Sequence, residues 1–297
     1  MPHNGVLPDG IRPGGRFNDW LQRRPQFVAL DVDGTLVGAE ATPKAAVVHA
    51  ITAAQQAGVK VGIVTGRMRH AVIDLIDMLA LSGPHVFHNG AEVAASDGST
   101  LAVLDLSPTA IRDMFALAAT NADVVGEFYC DTEFYVTQRD LRSEPHWQIL
   151  NARPNGTLDT VSALDGLPVR KVTLTAFTDA AAELMADAVR AHGLTAGTAT
   201  SPQTPNLTYV NATDARADKG FGVTVIAKHL GIELHDVVMI GDESNDLPAF
   251  AVAGTAIAMG QADREVQAHA HLVVADVHHD GVAAALTFLL AGQHDAS

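Results

Sequence analysis

The chain is expected to fold as an α/β protein: a doubly wound parallel-sheet, Rossmann-like core with a smaller α+β cap domain inserted into it. Three observations carry this expectation. Short apolar runs alternate with helix-length segments over roughly residues 26–90. The same rhythm returns from Ala217 onward. Between them the order changes to hairpins and to helix-then-two-strands, the habit of an antiparallel sheet. The expected division is a flexible extension over 1–25, a core from 26–90 plus 212–297, and an insert over 91–211.

The first apolar run, Phe27-Val28-Ala29-Leu30, reads as a buried strand that stops at Asp31. A helix follows from about Pro43 to Gln56, with Thr42 as its N-cap and Gly58 as its stop. Val59 to Val64 is the second strand and ends in Thr65-Gly66-Arg67. After a helix over Met68 to Leu81, Pro84 to Phe87 gives a third strand that ends at Asn89-Gly90. Within the insert, Ala91 to Leu106 reads as a hairpin around Asp97-Gly98, and Ser107-Pro108 opens a helix. Helix-then-two-strands occurs near 107–137 and again near 178–211, which suggests an internal repeat. Residues 138–168 read as irregular, with Pro145, Pro154 and Pro168 as breakers. A helix from Lys219 to Leu230, a strand over Val237 to Ile240 and further alternating elements complete the core.

The chain has 297 residues, is 47% hydrophobic and carries a formal net charge of −15. That charge argues against nucleic-acid or anionic-membrane partners, which call for basic patches. Its one cysteine, Cys130, excludes an intramolecular disulfide and fits a reducing, cytoplasmic setting. No apolar segment is long enough to span a bilayer. The N-terminal stretch is rich in Gly, Pro and Arg and lacks an apolar signal core.

Two carboxylates one residue apart at a strand end, Asp31 and Asp33, repel each other unless a cation compensates. In open α/β sheets the carboxyl ends of the strands are where ligands bind. Four short signals fall at such ends: Asp31-Val32-Asp33-Gly34-Thr35, Thr65-Gly66-Arg67, Lys219-Gly220 and Gly241-Asp242-Glu243-Ser244-Asn245-Asp246. If the outer segments share one sheet, all four converge. Asp31, Asp33 and Asp242 offer the hard oxygens that Mg²⁺ prefers, although that ion takes only one or two carboxylates directly. Lys219, the Thr65 hydroxyl and the Gly66 amide make an anion site inside an acidic protein. Each signal alone has a blander reading. Asp-x-Asp is a turn or surface pair, Lys219 a solvated first-turn lysine, Asp242 to Asp246 a helix cap, Asn89-Gly90 a turn, and Arg67 an ion-pair partner. The histidines show no zinc spacing.

Taken together, the four signals resemble the haloacid dehalogenase-like hydrolase superfamily, and within it the Cof-type phosphatases with a large α/β (type C2B) cap. Ala258-Met259-Gly260 and Asp280-Gly281-Val282 add to the likeness, which covers about residues 26 to 290. The resemblance implies a Mg²⁺-dependent phosphatase acting on a small phosphorylated metabolite such as a sugar phosphate. It implies Asp31 as the nucleophile that becomes an aspartyl-phosphate, and Asp33 as general acid and base. The Asp31 carboxylate, the Asp33 carbonyl and Asp242 would hold Mg²⁺. Thr65, Gly66, Lys219 and Asn245 would bind the phosphoryl group, with Asp246 supporting and Arg67 and Asn89 as possible substrate contacts. The cap would form a lid that sets specificity, with the Arg139 to Trp147 segment either lining the pocket or standing as a solvated loop. A phosphomutase sharing the aspartyl-phosphate and a non-catalytic phosphometabolite-binding protein are the competing readings. The expected assembly is a monomer or homodimer.

Overall fold

The structure, a computed structural model, describes residues 7–17, 24–40, 42–150, 152–200 and 204–291. It divides into two compact units. One is drawn from Met1–Gly66, Ile73–Ala102 and Asp218–Ser297, the other from Arg67–Val72 and Val103–Ala217.

The first unit contains β1 (Arg12–Pro13), β2 (Phe27–Leu30), β3 (Lys60–Ile63), β4 (His85–Phe87), β5 (Glu92–Ala94) and β6 (Thr100–Val103). Late in the chain come β13 (Val237–Gly241), β14 (Thr255–Ala258) and β15 (Leu272–Val273). Its α-helices are α1 (Ala45–Gln56), α2 (Ile73–Met78), α6 (Lys219–Leu230), α7 (Leu247–Val252), α8 (Arg264–His269) and α9 (Gly281–Ala291). Among the described residues one sheet runs β1–β15–β14–β13–β2–β3, parallel throughout except for the β1 edge. Its central strands are apolar along their whole length because helices cover both faces. Phe27, Ala29, Val237 and Met239 pack against Val223 and Ile226 of α6 and Ala249 and Phe250 of α7. The intervening Val28, Leu30, Val238 and Ile240 are equally buried, and α1 contacts both α9 and β3.

Strand β2 lies between β3, the next strand in sequence, and β13, which arrives from the far end of the chain. The winding therefore reverses at β2, the position beyond whose carboxyl end open α/β sheets bind ligands. Helix α6 is fixed at both termini. The Asp218 carboxylate accepts the Phe221 amide at its start, and Gly231, at φ +66°, closes it in the left-handed conformation.

The second unit contains β7 (Val124–Tyr129), β8 (Phe134–Val136), β9 (Gly156–Thr157), β10 (Lys171–Ala176), β11 (Thr195–Thr200) and β12 (Thr208–Thr213). Its α-helices are α3 (Pro108–Ala119), α4 (Glu144–Ile149) and α5 (Asp179–Ala191). The sheet order is β11–β12–β10–β7–β8–β9, antiparallel except for the β8–β9 pair. Helices α3 and α5 cover one face through Met114, Met185 and Val189, packed on Phe128, Val172, Leu174 and Val210. Ser107 and Thr178 cap these helices, each accepting the amide three residues on. Because side chains alternate along a strand, the other face carries Glu127, Tyr129, Thr173 and Thr175. The two helix-then-two-strands segments thus do build one antiparallel sheet with helices on one side.

Four sequence expectations are revised. The 91–106 hairpin forms, but β5 pairs with β4, and Val93 joins the core of the first unit, so residues 91–102 fall there and the second unit begins at Val103. Part of the extension expected to be flexible is ordered. Arg12–Pro13 pairs with β15, Ile11 is buried, and the Arg16 guanidinium donates to the Phe250 carbonyl. Residues 1–6 and 18–23 of that extension lie outside the described residues. Helix α1 starts at Ala45 with Lys44 at its N-cap, two residues later than the Pro43 start expected. Finally, the stretch expected to be irregular holds α4. Pro145 sits in its first turn, where a missing amide proton costs nothing. Among the described residues no helix is long and apolar enough to cross a membrane.

Candidate active site

At the end of β2 the chain turns sharply. The Val32 carbonyl accepts the Leu36 and Val37 amides, and the Gly34 amide donates to Val37. Gly34 adopts φ +77°, and a Cβ there would lie 2.1 Å from the Asp242 Oδ2. This position needs glycine on both counts. The turn leaves Asp31 5% exposed and Asp33 exposed. Thr35 Oγ1 donates to Asp242 Oδ1 at 3.0 Å, tying the β2 loop to the β13 loop.

Lys219 opens α6 and is wholly buried. Its Nζ donates to Asp31 Oδ1 at 2.7 Å and to Asp246 Oδ1 at 2.5 Å. A cation at a helix start opposes the helix dipole, and these two carboxylates supply the compensation. Asp246 Oδ2 accepts the Asp242 and Glu243 amides at 2.9 and 3.1 Å. Gly241 lets this close turn form, since a Cβ there would stand 2.3 Å from Asp246 Oδ2. Asp246 thus clamps the β13 loop with one oxygen and the lysine with the other.

The remaining signals join the same end of the sheet. The Asn89 amide donates to the Thr65 carbonyl, and Asn245 Nδ2 donates to Asn89 Oδ1 at 3.4 Å. Asn89 itself adopts a left-handed φ of 54°. Hydrogen bonds therefore link all four sequence signals, through Asn89 in the case of Thr65-Gly66. Arg67 falls in the second unit.

Asp31, Asp242 and Asp246 each place a carboxylate oxygen within 4.8 Å of the others. The Asp33 side chain is not in that group, which does not bear on the cation role its backbone carbonyl was expected to play. Burial pushes the Asp31 carboxyl well above the usual range; Lys219 opposes this, and Asp246 and Asp242 add to it. Asp242 is pushed up to about 6 by burial and by Asp246, against the bonds from Gln261 and Thr35. Burial, together with Asp242, raises Glu243 to about 7. Burial weakens the Lys219 ammonium, but Asp246 and Asp31 outweigh it and hold the pKa above its ordinary value. Three carboxylates around one ammonium leave an excess of negative charge when all are ionised. The site accordingly fits a divalent cation with oxygen ligands. Asp246 is wholly buried and holds the Lys219 ammonium and two backbone amides, so Asp31 and the less buried Asp242 are the side chains suited to hold it.

Sequence reasoning missed Gln261 as a site residue. Its Nε2 donates to the Gly34 carbonyl at 2.6 Å and to Asp242 Oδ2 at 3.1 Å. It lies just past β14, the parallel neighbour of β13, and that position was the available signal. The expectation for Arg139 to Trp147 also changes. Trp147 is buried with Tyr129 and Phe134, and His146 stacks on Tyr209 with ring centroids 4.1 Å apart. The segment is thus divided: Arg139, Leu141 and Arg142 stand exposed ahead of α4, and α4 carries Trp147 into the core.

The family model for haloacid dehalogenase-like hydrolases matches residues 28–286. The chain belongs to that family. It is 25% identical over 278 residues to a pyridoxal phosphate phosphatase of Escherichia coli, spanning 87% of this chain and 96% of the relative. It is 27% identical to a 5-amino-6-(5-phospho-D-ribitylamino)uracil phosphatase of Bacillus subtilis, spanning 90% and 99%. Among solved structures, a haloacid dehalogenase-like hydrolase from Bacteroides thetaiotaomicron matches with a TM-score of 0.77 at 21% identity, spanning 89% and 99%. The subclass IIB sugar phosphatase BT4131 matches with a TM-score of 0.74 at 23% identity, spanning 88% of this chain and 98% of the other. The Cof-type assignment holds, and with it the enzyme class: a phosphoric monoester hydrolase.

Proposed function

We propose that the protein is a Mg²⁺-dependent phosphatase that hydrolyses a small phosphorylated metabolite through an aspartyl-phosphate on Asp31. The observation that carries this reading is the Asp31–Lys219–Asp246 chain of contacts at the end of β2, with the Asp242 carboxylate beside it. In this reading Asp31 Oδ attacks phosphorus while Lys219 neutralises charge on the phosphoryl oxygens. Asp33, exposed beside it, protonates the leaving oxygen and then takes a proton from the water that hydrolyses the intermediate. Asp31, the Asp33 carbonyl and Asp242 would hold Mg²⁺, which supplies further charge neutralisation.

Asn245 supports the phosphate role. Its Nδ2 donates to Asn89 Oδ1 over a long 3.4 Å and carries a second hydrogen, the donor a phosphoryl oxygen requires. Thr65 and the Gly66 amide complete the anion site in this reading.

Relatives are named for substrates as different as pyridoxal phosphate and phosphoglycolate. The core motifs address only phosphoryl and cation. We therefore place substrate choice in the insert, and exchanging it for that of a relative should transfer preference. The test of the whole reading is release of inorganic phosphate from a panel of sugar phosphates, phosphorylated cofactors and nucleotides. Activity should vanish with a chelator and return with Mg²⁺. Turnover that yields an isomerised sugar phosphate without free phosphate would instead establish a mutase, and binding without turnover a sensor.

A further inference from the structure

We infer that Gln261 is a positioning residue for the cation site, setting the spacing between the β2 loop and the Asp242 carboxylate. This rests on the reading that Asp242 holds the divalent cation. The side chain makes three hydrogen bonds to three separate segments. Nε2 donates to the Gly34 carbonyl at 2.6 Å and to Asp242 Oδ2 at 3.1 Å, and Oε1 accepts the Val277 amide at 3.2 Å. Only an amide can do this. It presents two donors on one atom and an acceptor on the other, and the reversed orientation would set Oε1 against a carbonyl and a carboxylate. The Val277 amide therefore fixes which way the group points.

The geometry matters because both acceptors adjoin expected cation ligands. Gly34 follows Asp33, whose carbonyl is one candidate ligand, and Asp242 is another. One nitrogen bridging the two sets the distance between the loops after β2 and β13. Thr35 holds the other Asp242 oxygen, so the carboxylate is gripped from both sides. The third bond anchors this bridge to the Val277–His279 turn, which Asp276 caps by accepting the His278 amide. Partners that orient metal ligands in this way typically change metal affinity by about 10- to 100-fold when removed.

The competing reading is a loop staple with no bearing on the cation. Leucine matches glutamine in size and has no donor, so Gln261→Leu separates the two. The measurement is Mg²⁺ binding to the substrate-free protein by titration calorimetry, alongside thermal unfolding and the Mg²⁺ dependence of phosphate release. The expected result is an affinity loss of about tenfold in Q261L. The number of sites should be unchanged, and the unfolding midpoint should move by no more than about 4 °C. Excess Mg²⁺ should restore kcat. A partly unfolded variant would lower the number of sites and leave the affinity of the rest intact, which overturns the positioning role. Equal affinity in both proteins overturns it as well. A wild type that binds no Mg²⁺ overturns the cation reading itself, which a positioning failure alone would leave standing.

Discussion

Two buried carboxylates, one in each unit, have opposite fates. Glu127 of β7 is fully buried, yet its pKa lies below the ordinary value. Burial pushes it up, but facing His146 and donors from Tyr129 and Thr175 outweigh burial. Trp147 Nε1 adds a further bond at 3.2 Å. Asp31 of the first unit is nearly as buried and has a lysine at 2.7 Å, yet its pKa is raised. The difference is in the remaining neighbours. Glu127 is surrounded by donors, whereas Asp31 shares its lysine with Asp246 and stands near Asp242. A buried acid among donors is compensated within its own fold; a buried acid that shares one lysine with other acids is compensated only in part.

The largest expected effect tests the incomplete partner. Asp31→Asn should lower phosphate release by about 10⁴-fold or more, because the nucleophile is lost. The same change relieves repulsion, so the metal-free midpoint should rise, by about 2 °C. Turnover retained in a clean preparation would remove Asp31 from the mechanism. A falling midpoint would mean that the cluster is not underneutralised.

Lys219→Met takes the shared cation away and should cost both activity and stability. Loss of one charged donor is worth about 10²- to 10³-fold in kcat. Leaving Asp31 and Asp246 buried without it should destabilise by about 3 kcal/mol. Mg²⁺ should recover part of that loss, and a midpoint insensitive to the substitution would contradict the buried ion pairs.

Glu127→Ala is the matching change in the insert. It orphans the Tyr129, Trp147 and Thr175 donors and should also destabilise by about 3 kcal/mol, read by denaturant unfolding. Here Mg²⁺ affinity should not move. An altered affinity would mean that Glu127 serves the cation site, and the contrast between the two acids would fail.

The two sites were also unequally legible in the sequence. The core site was readable because each part is a short motif at a strand end, and a parallel sheet gathers such ends. Gln261 escaped because no motif marks it, only its place after β14. The Glu127 cluster was not readable at all. Its partners Trp147 and Thr175 stand 20 and 48 residues away, and only antiparallel pairing and α4 unite them. Helix α4 was hidden by Pro145, read as a breaker where it is a permitted first-turn residue. The hairpin was seen but assigned to the insert, because a change of rhythm marks a change of topology and not a domain edge.

The smallest effect distinguishes the acids by pH. Asp242 stands at about 6 when folded, against an ordinary 3.8. The folded state therefore binds that proton more tightly, and Asp242 favours folding at low pH. Its contribution is full below the ordinary value and is lost as pH rises through about 6. Asp31, also raised, acts in the same direction. Glu127 is lowered from 4.5, so its contribution is present above that value and is lost as pH falls through the lower folded value. The chelated protein should thus gain stability on going from about pH 7.5 to 5, by roughly 3 °C, and lose it again well below the ordinary range of Glu127. Mg²⁺ should flatten the upper slope, since a bound cation keeps the carboxylates ionised. Asp242→Asn should reduce that slope, and Glu127→Gln the lower one. If the chelated protein instead lost stability between about pH 7.5 and 5, the acids of the core would be compensated as Glu127 is, without a cation.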